Sequence, residues 1–89
     1  MEGFQWDEHN EAHVLEHGVD PEEAVDALLD PGRIRGKAYN QGEQRWAALG
    51  ETEEGRLLFT VFTRRDGLVR VITARDATSR EKRSYRKQN

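Results

Sequence analysis

One break divides the chain into a part with helix signals and a part with strand signals. The break is Asp30-Pro31-Gly32, a proline–glycine pair that stops a helix. Before it, apolar residues recur at helical spacing. After it, apolar residues alternate with polar ones, as in strands that bury one face. Helices and strands are therefore expected in separate parts of the sequence, which is typical of the α+β class.

Two helices are predicted before the break. Asp7 can cap a first helix over residues 8–16, and Gly18 supplies the left-handed residue that follows a helix end. The segment Asp20-Pro21-Glu22-Glu23 combines an N-cap, a proline at the first helical position and the glutamate of a capping box. The apolar side of the second helix is expected to contain Ala24, Val25, Leu28 and Leu29.

Four strands and one more helix are predicted after the break. The strands are expected at residues 33–39, 45–51, 56–64 and 68–75, with a polar turn between the first two. Thr78 and Glu81 match a capping box that opens a short basic helix. The predicted order is ααββββα, an antiparallel meander sheet packed against helices, in one domain over residues 1–89.

The turn Asp66-Gly67 decides which faces of the sheet the nearby arginines occupy. Asp-Gly favours a two-residue type I′ turn, which pairs Arg65 with Leu68 and Leu58 with Arg75. Arg64 and Arg75 would then share one face, because side chains alternate along a strand. A three-residue loop would place these two arginines on opposite faces, and this alternative stays open.

The two halves of the chain carry opposite charge. Residues 1–55 hold fourteen of the seventeen acidic residues and have a net charge of −10, whereas residues 56–89 hold ten of the fourteen Lys and Arg and have a net charge of +7. A basic half suits a polyanion such as a nucleic acid. Attraction between the two halves within the fold explains the split equally well.

Composition excludes several classes of function. The chain has no cysteine, so disulfides, thiolate catalysis and sulfur-based metal sites are excluded. No apolar run approaches the roughly 20 residues of a membrane-spanning helix, and the acidic N-terminus does not resemble a signal peptide. A cytoplasmic protein without membrane contact is expected.

The three histidines are spaced four residues apart. On a helix, His9, His13 and His17 would form one stripe, and imidazoles one turn apart can chelate zinc or nickel. The glutamate that follows the first histidine of a zinc-protease helix is missing. Ordinary solvated histidines are therefore favoured over a metal site.

Arginine and aromatic side chains are the candidates for contacts with a nucleic acid. Guanidinium groups match phosphate oxygens in a bidentate way, and Arg64 and Arg75 lie within strand-forming sequence. Aromatic side chains can stack on unpaired bases, which makes Tyr39 and Tyr85 candidates. Trp6 and Trp46 are expected in the core instead.

Several short motifs, in order along the chain, carry a resemblance to a known family. They are Phe4-x-Trp6-Asp7, His17-Gly18-Val19, Glu22-Glu23-Ala24, Asp30-Pro31, Gly50 followed by Gly55-Arg56-x-Leu58, Phe62-Thr63-x-Arg65, Ile72-Thr73-Ala74-Arg75 and Glu81-x-x-x-Tyr85. Together they resemble the BrnT toxin family, the ribonuclease halves of type II toxin–antitoxin pairs. The resemblance implies a fold like the RelE ribonucleases, RNA cleavage without metal or cofactor, and inhibition of translation. It also implies a cognate antitoxin with a DNA-binding domain.

RNA cleavage of this kind needs an acid or base and positive charge. The 2′-OH attacks the adjacent phosphate and gives a 2′,3′-cyclic phosphate, so a proton must leave and the phosphorane charge must be stabilised. The candidate catalytic residues are His17, Glu23, Arg64 and Arg75, and the candidate RNA-binding residues are Arg45, Arg83 and Tyr85. The alternative function is a non-catalytic module that binds a protein or a nucleic acid.

Overall fold

The structure, a computed structural model, describes residues 3–40 and 42–89, without the side chains of residues 39 and 40. Gln41 in the predicted turn and the Tyr39 side chain therefore lie outside the described residues. Within them, the element order is β1 (Phe4–Gln5), α1 (Glu8–Glu16), α2 (Pro21–Leu29), β2 (Ile34–Asn40), β3 (Glu43–Glu51), β4 (Leu57–Arg65), β5 (Leu68–Asp76) and α3 (Ser79–Gln88). The α+β class is confirmed. The two-residue strand β1 is an addition that is too short to leave a periodic pattern.

The strands form one sheet in the order β1-β5-β4-β3-β2. Strands β2 to β5 are an antiparallel meander, and β1 lies parallel to β5 at the edge. Helices α1 and α2 pack on one face of this sheet, which we call the helical face. The core between them includes Val14, Val19, Leu28, Leu58 and Val71.

The hairpin between β4 and β5 starts as predicted. Asp66 and Gly67 have φ values of 53° and 77°, as a type I′ turn requires, and Arg65 pairs with Leu68. Further along, Phe62 pairs with Val71 but Val61 pairs with Thr73. One residue of β5, Ile72, is therefore an extra residue that forms a bulge.

The bulge reverses the faces of all later residues of β5. Val71 and Ala74 are both completely buried in the core although they are three positions apart, and the extra residue between them makes this possible. Arg75 consequently pairs with Phe59 rather than with Leu58. The prediction that Arg64 and Arg75 share one face of the sheet is wrong.

A close contact between backbone atoms sets the rotation of α2. Gly50 of β3 lies directly against the Ala27 carbonyl group, where a side chain on residue 50 would collide. Ala24, Ala27 and Leu28 therefore face the sheet. Leu29, expected on the apolar side, is instead 63% exposed because the helix turns its buried side toward Gly50.

Helix α3 is attached by polar contacts at several points. None of its residues is buried. Thr78 and Glu81 form the predicted capping box at its start, and the side chain of Asn89 donates to the Gly32 carbonyl at its end, at 2.9 Å. The helix is thus held by a small number of specific side chains rather than by an apolar face.

Candidate active site

The buried side chain of Asn10 bonds helix α1 to the edge of the sheet. The Asp7 carboxylate caps the helix and the Asn10 side-chain oxygen accepts from the Asp7 backbone N–H at 2.8 Å. The Asn10 amide nitrogen donates to the carbonyl oxygens of Gln5 at 3.0 Å and Val71 at 3.1 Å. This arrangement places the first turns of α1 beside β5 at the bulge.

A pocket of about 490 Å³ opens at this point, between α1 and the strands β3, β4 and β5. We call it the basic pocket. Its lining consists of His9, Asn10, His13, Arg45, Arg65, Arg70, Val71 and Ile72. Among these described residues none is acidic, although α1 carries Glu8, Glu11 and Glu16. The acidic side chains of the first helix therefore take no part in the pocket lining.

Arg70 is the most buried of the three arginines. Only 8% of the residue is exposed. Its guanidinium group contacts both carboxylate oxygens of Asp7, at 3.0 and 3.3 Å, and the Gln5 side chain at 3.4 Å. These hydrogen bonds from Arg70 lower the pKa of the Asp7 carboxyl below its ordinary value. Arg70 therefore holds the start of α1 and contributes a charge that is already partly neutralised.

Arg45 and Arg65 are less constrained than Arg70. One guanidinium nitrogen of Arg45 lies 3.3 Å from a carboxylate oxygen of Glu43, a partly exposed pair of the kind that contributes little binding energy. Arg65 is exposed, and no carboxylate within the described part of the chain forms an ion pair with it. Both groups are available to an anion in the pocket.

Two imidazole groups lie at the mouth of the basic pocket. His9 and His13 are one helical turn apart, both exposed, with ring centroids separated by 6.2 Å. Since a hydrogen bond spans roughly 3 Å, the two rings can contact different oxygen atoms of one phosphate group. His17 stacks on His13 at 6.4 Å, at the far end of the stripe, and is not part of the pocket lining.

The predicted trio of His17, Arg64 and Arg75 is not brought together. Arg64 lies on the helical face, in a separate groove. Arg75 lies on the other face, where it makes a bidentate ion pair with Glu81 at 2.8 and 3.1 Å. Its guanidinium carbon is 4.3 Å from the centroid of the Phe59 ring. Arg75 thus has a carboxylate and an aromatic partner within the fold.

Glu23 is engaged in holding elements of the fold together. Its carboxylate accepts from the Asp20 backbone N–H and from Arg56, both at 3.0 Å. Arg56 also contacts Asp76 at 2.7 Å and the Gly18 carbonyl oxygen at 2.9 Å. The hydrogen bond to Asp76, followed by the one to Glu23, raises the pKa of Arg56.

The three predicted RNA-binding residues lie in different places. Arg45 lines the basic pocket, whereas Arg83 is exposed on α3. The Tyr85 hydroxyl donates to the Asp30 carboxylate at 2.6 Å, which raises the pKa of Tyr85 to about 12. This hydrogen bond fixes α3 to the end of α2.

The basic pocket contains residues that the sequence pattern did not single out as a group. Arg65 and Arg70 share one face because Arg65 pairs with Leu68, which lies two residues before Arg70. Their shared face could therefore have been predicted from the hairpin register. The spacing of His9 and His13 was visible as well. Their approach to Arg45 depends on how α1 sits on the sheet.

The described residues form neither a converging cluster of metal ligands nor a membrane-spanning helix. Within residues 3–38 and 42–89, no group of three or more His, Asp or Glu side chains is arranged around a common metal position. The histidine stripe on α1 does not converge in that way. No described helix has the length and apolar character needed to cross a membrane.

Comparisons with known proteins identify the family. A comparison with curated proteins gives no match. The model of one family, described as the ribonuclease toxin BrnT of type II toxin–antitoxin systems, matches residues 6–81. That range covers every element from α1 to β5 and the start of α3, and the family implies an RNA target and a cognate antitoxin. The chain therefore belongs to the BrnT family of type II ribonuclease toxins.

Proposed function

We propose that the chain cleaves RNA and that the scissile phosphate binds in the basic pocket. The observation that carries this proposal is the lining itself, in which three arginines and two histidines meet and no acidic residue of the described chain takes part. Guanidinium groups bind phosphate oxygens, and histidine is the side chain most often used for proton transfer in catalysis.

The reaction needs two proton transfers on opposite sides of one phosphorus atom. The ribose 2′-oxygen attacks the phosphorus, its proton passes to one imidazole, and the bond from phosphorus to the 5′-oxygen breaks. The other imidazole, in its protonated form, donates a proton to the departing 5′-oxygen. The products are a 2′,3′-cyclic phosphate and a free 5′-OH, and His9 and His13 are the proposed pair. No metal ion or cofactor takes part in this scheme.

The arginines stabilise the additional negative charge of the phosphorane. Arg45 and Arg65 come from β3 and β4, so their backbone positions are fixed by the sheet. Arg70, on β5, adds positive potential to the same pocket. Loss of one preorganised donor to an oxyanion typically lowers the rate by roughly 10²–10³-fold. Loss of a general acid or base lowers it by roughly 10²–10⁴-fold.

The test is cleavage of a defined RNA by the purified chain in the presence of a chelator. We expect fragments that end in 2′,3′-cyclic phosphate and 5′-OH, and no cleavage where the 2′-OH at the cut site is replaced by hydrogen. His13→Ala should lower the rate by at least about 100-fold. Wild-type protein that cuts no RNA, free or on ribosomes, would refute the proposal.

A second set of variants decides between the basic pocket and the residues proposed from the sequence. His17→Ala, Arg64→Ala and Arg75→Ala remove the sequence-proposed groups, whereas His9→Ala, His13→Ala and Arg65→Ala remove groups of the pocket. Arg64 and Arg65 are neighbours on opposite faces, which makes them a matched pair. A larger loss of rate in the first set than in the second would place the phosphate elsewhere.

The biological role that we propose follows from the family. Cleavage of RNA by the chain would inhibit translation and arrest growth. The cognate antitoxin would neutralise it and, through a DNA-binding domain, allow the complex to repress its own operon. Co-expression of the adjacent gene should restore growth, and binding of the complex to the promoter should be detectable by gel shift.

A further inference from the structure

A second concave surface lies on the helical face of the sheet, at the hairpin end. It has a volume of about 260 Å³ and lies between the end of α2 and the strands β1, β2, β4 and β5. Its apolar part is formed by Phe4, Leu28, Leu29, Phe62 and Val69. We call it the apolar groove.

Leu29 makes this groove unusual for a surface feature. It is one of two large apolar residues in the described chain that are mostly exposed, at 63%, and the other is Leu15 on α1, at 55%. Leu15 lies outside the lining of the groove. An exposed leucine that continues a concave apolar surface forms a contiguous apolar patch, and such patches mark interaction sites.

The edge of the groove is basic. Arg33, Arg35 and Arg64 line it. Arg33 donates to the Asp30 backbone carbonyl at 3.0 Å. For Arg35 and Arg64, no carboxylate among the described residues lies within ion-pair distance. A partner that fills this groove should therefore carry acidic side chains around an apolar one.

The apolar groove and the basic pocket are separate. Arg64 and Val69 pair with each other and line the groove, whereas Arg65, the next residue, lines the basic pocket. Alternation of side chains along β4 thus divides the two sites between opposite sides of the hairpin. A side chain inserted in the groove therefore does not occupy the proposed phosphate site.

The chemistry of the groove favours a peptide over RNA. Apart from the three arginines, its lining has no polar side chain that could read the edge of a base. Its volume is below the roughly 300–1,000 Å³ of small-molecule sites. An aliphatic or aromatic side chain from a protein satisfies both observations.

We propose that an acidic segment of the cognate antitoxin docks in this groove and inserts an apolar side chain beside Leu29. The identity of the partner rests on the proposed function. The location of the contact rests on the groove alone. This contact would anchor the antitoxin on the toxin at a point outside the basic pocket.

The experiment measures binding of the purified antitoxin, encoded by the adjacent gene, to variants of the full chain by calorimetry. Leu29→Glu should weaken binding by at least about 100-fold, since it places a carboxylate in an apolar contact. Leu15→Glu, the matched exposed leucine, should change the affinity by less than about 3-fold. RNA cleavage by both variants should equal that of wild type.

A second pair of variants tests the charge of the edge. Arg35→Glu should weaken binding by about 10-fold or more and reduce its dependence on salt. Lys37→Glu is the control, because Lys37 is exposed on the same strand and does not line the groove. The unfolding midpoint of each variant verifies that it is folded. If Leu29→Glu does not fold, the antitoxin affinity of Arg35→Glu tests the docking site by itself.

The outcomes separate this inference from the proposed function. The docking site is refuted if Leu29→Glu and Arg35→Glu bind the antitoxin as tightly as wild type. It is also refuted if the wild-type chain binds no antitoxin. Reduced RNA cleavage with unchanged antitoxin binding assigns the groove to RNA and also overturns it. The expected loss of binding in a chain that cuts no RNA supports the docking site and refutes the nuclease.

Discussion

Replacement of Asn10 by alanine tests the contact that holds α1 to the sheet. Asn10 is 2% exposed and makes three hydrogen bonds to backbone groups, at 2.8, 3.0 and 3.1 Å. Each such bond contributes a net of roughly 1 kcal/mol to folding. The variant should therefore lose about 3 kcal/mol of unfolding free energy, a large part of the roughly 5–15 kcal/mol of a typical domain.

Urea unfolding followed by circular dichroism measures this loss. The midpoint should fall with little change in slope, because a side-chain truncation barely alters the surface exposed on unfolding. For a domain of this size, 1 kcal/mol corresponds to roughly 4–8 °C, so the melting temperature should fall by about 12–24 °C. RNA cleavage should fall as well, since His9 and His13 are positioned by the same helix.

Two controls define what would refute this reasoning. Glu11→Ala changes an exposed residue of the same helix and should alter stability by no more than about 0.5 kcal/mol. Asn10→Asp keeps the size and the acceptor oxygen but removes both donors, so it should be at least as damaging as alanine at neutral pH. A loss below about 1 kcal/mol in Asn10→Ala would show that these hydrogen bonds do not anchor α1.

Two further predictions concern the attachment of α2 and α3. Gly50→Ala should destabilise the chain by more than about 3 kcal/mol or prevent folding, because the new Cβ would collide with the Ala27 carbonyl oxygen. Thermal melts should show no such loss for the control Gly36→Ala, where the space around the new Cβ is open. The bidentate pair with Arg75 lowers the pKa of Glu81 from its ordinary value of 4.5. The ion pair therefore contributes fully to the free energy of unfolding above pH 4.5, and this contribution is lost as the pH falls through the lowered pKa. Glu81→Gln should therefore be less stable than wild type at pH 7, and the difference should shrink toward pH 3. A constant difference in urea melts across this range would contradict the assignment.

Local signals in the sequence determined most of the secondary structure. The capping residues Asp7, Asp20 and Thr78 each start a helix as predicted, because an N-cap acts through its own next three residues. The hairpin at Asp66-Gly67 was predictable for the same reason. These interactions are short in sequence, so their partners can be read from spacing alone.

Arg64 and Arg75 illustrate what spacing alone does not determine. Their predicted shared face assumed an unbroken register, but the core accepts both Val71 and Ala74, and Ile72 is displaced as a bulge to allow this. The choice depends on which side chains fill the space beneath α1. No residue near the turn signals that choice.

The family and the class of chemistry were accessible from ordered motifs along the chain, whereas the candidate site required the assembled fold. Arg45, Arg65 and His13 come from β3, β4 and α1, and they meet because Asn10 bonds to Val71, which lies 61 residues away in sequence. The exposure of Leu29 likewise depends on the contact between Gly50 and Ala27. Contacts between distant segments form only when the core packs, and packing depends on volume and shape summed over many side chains.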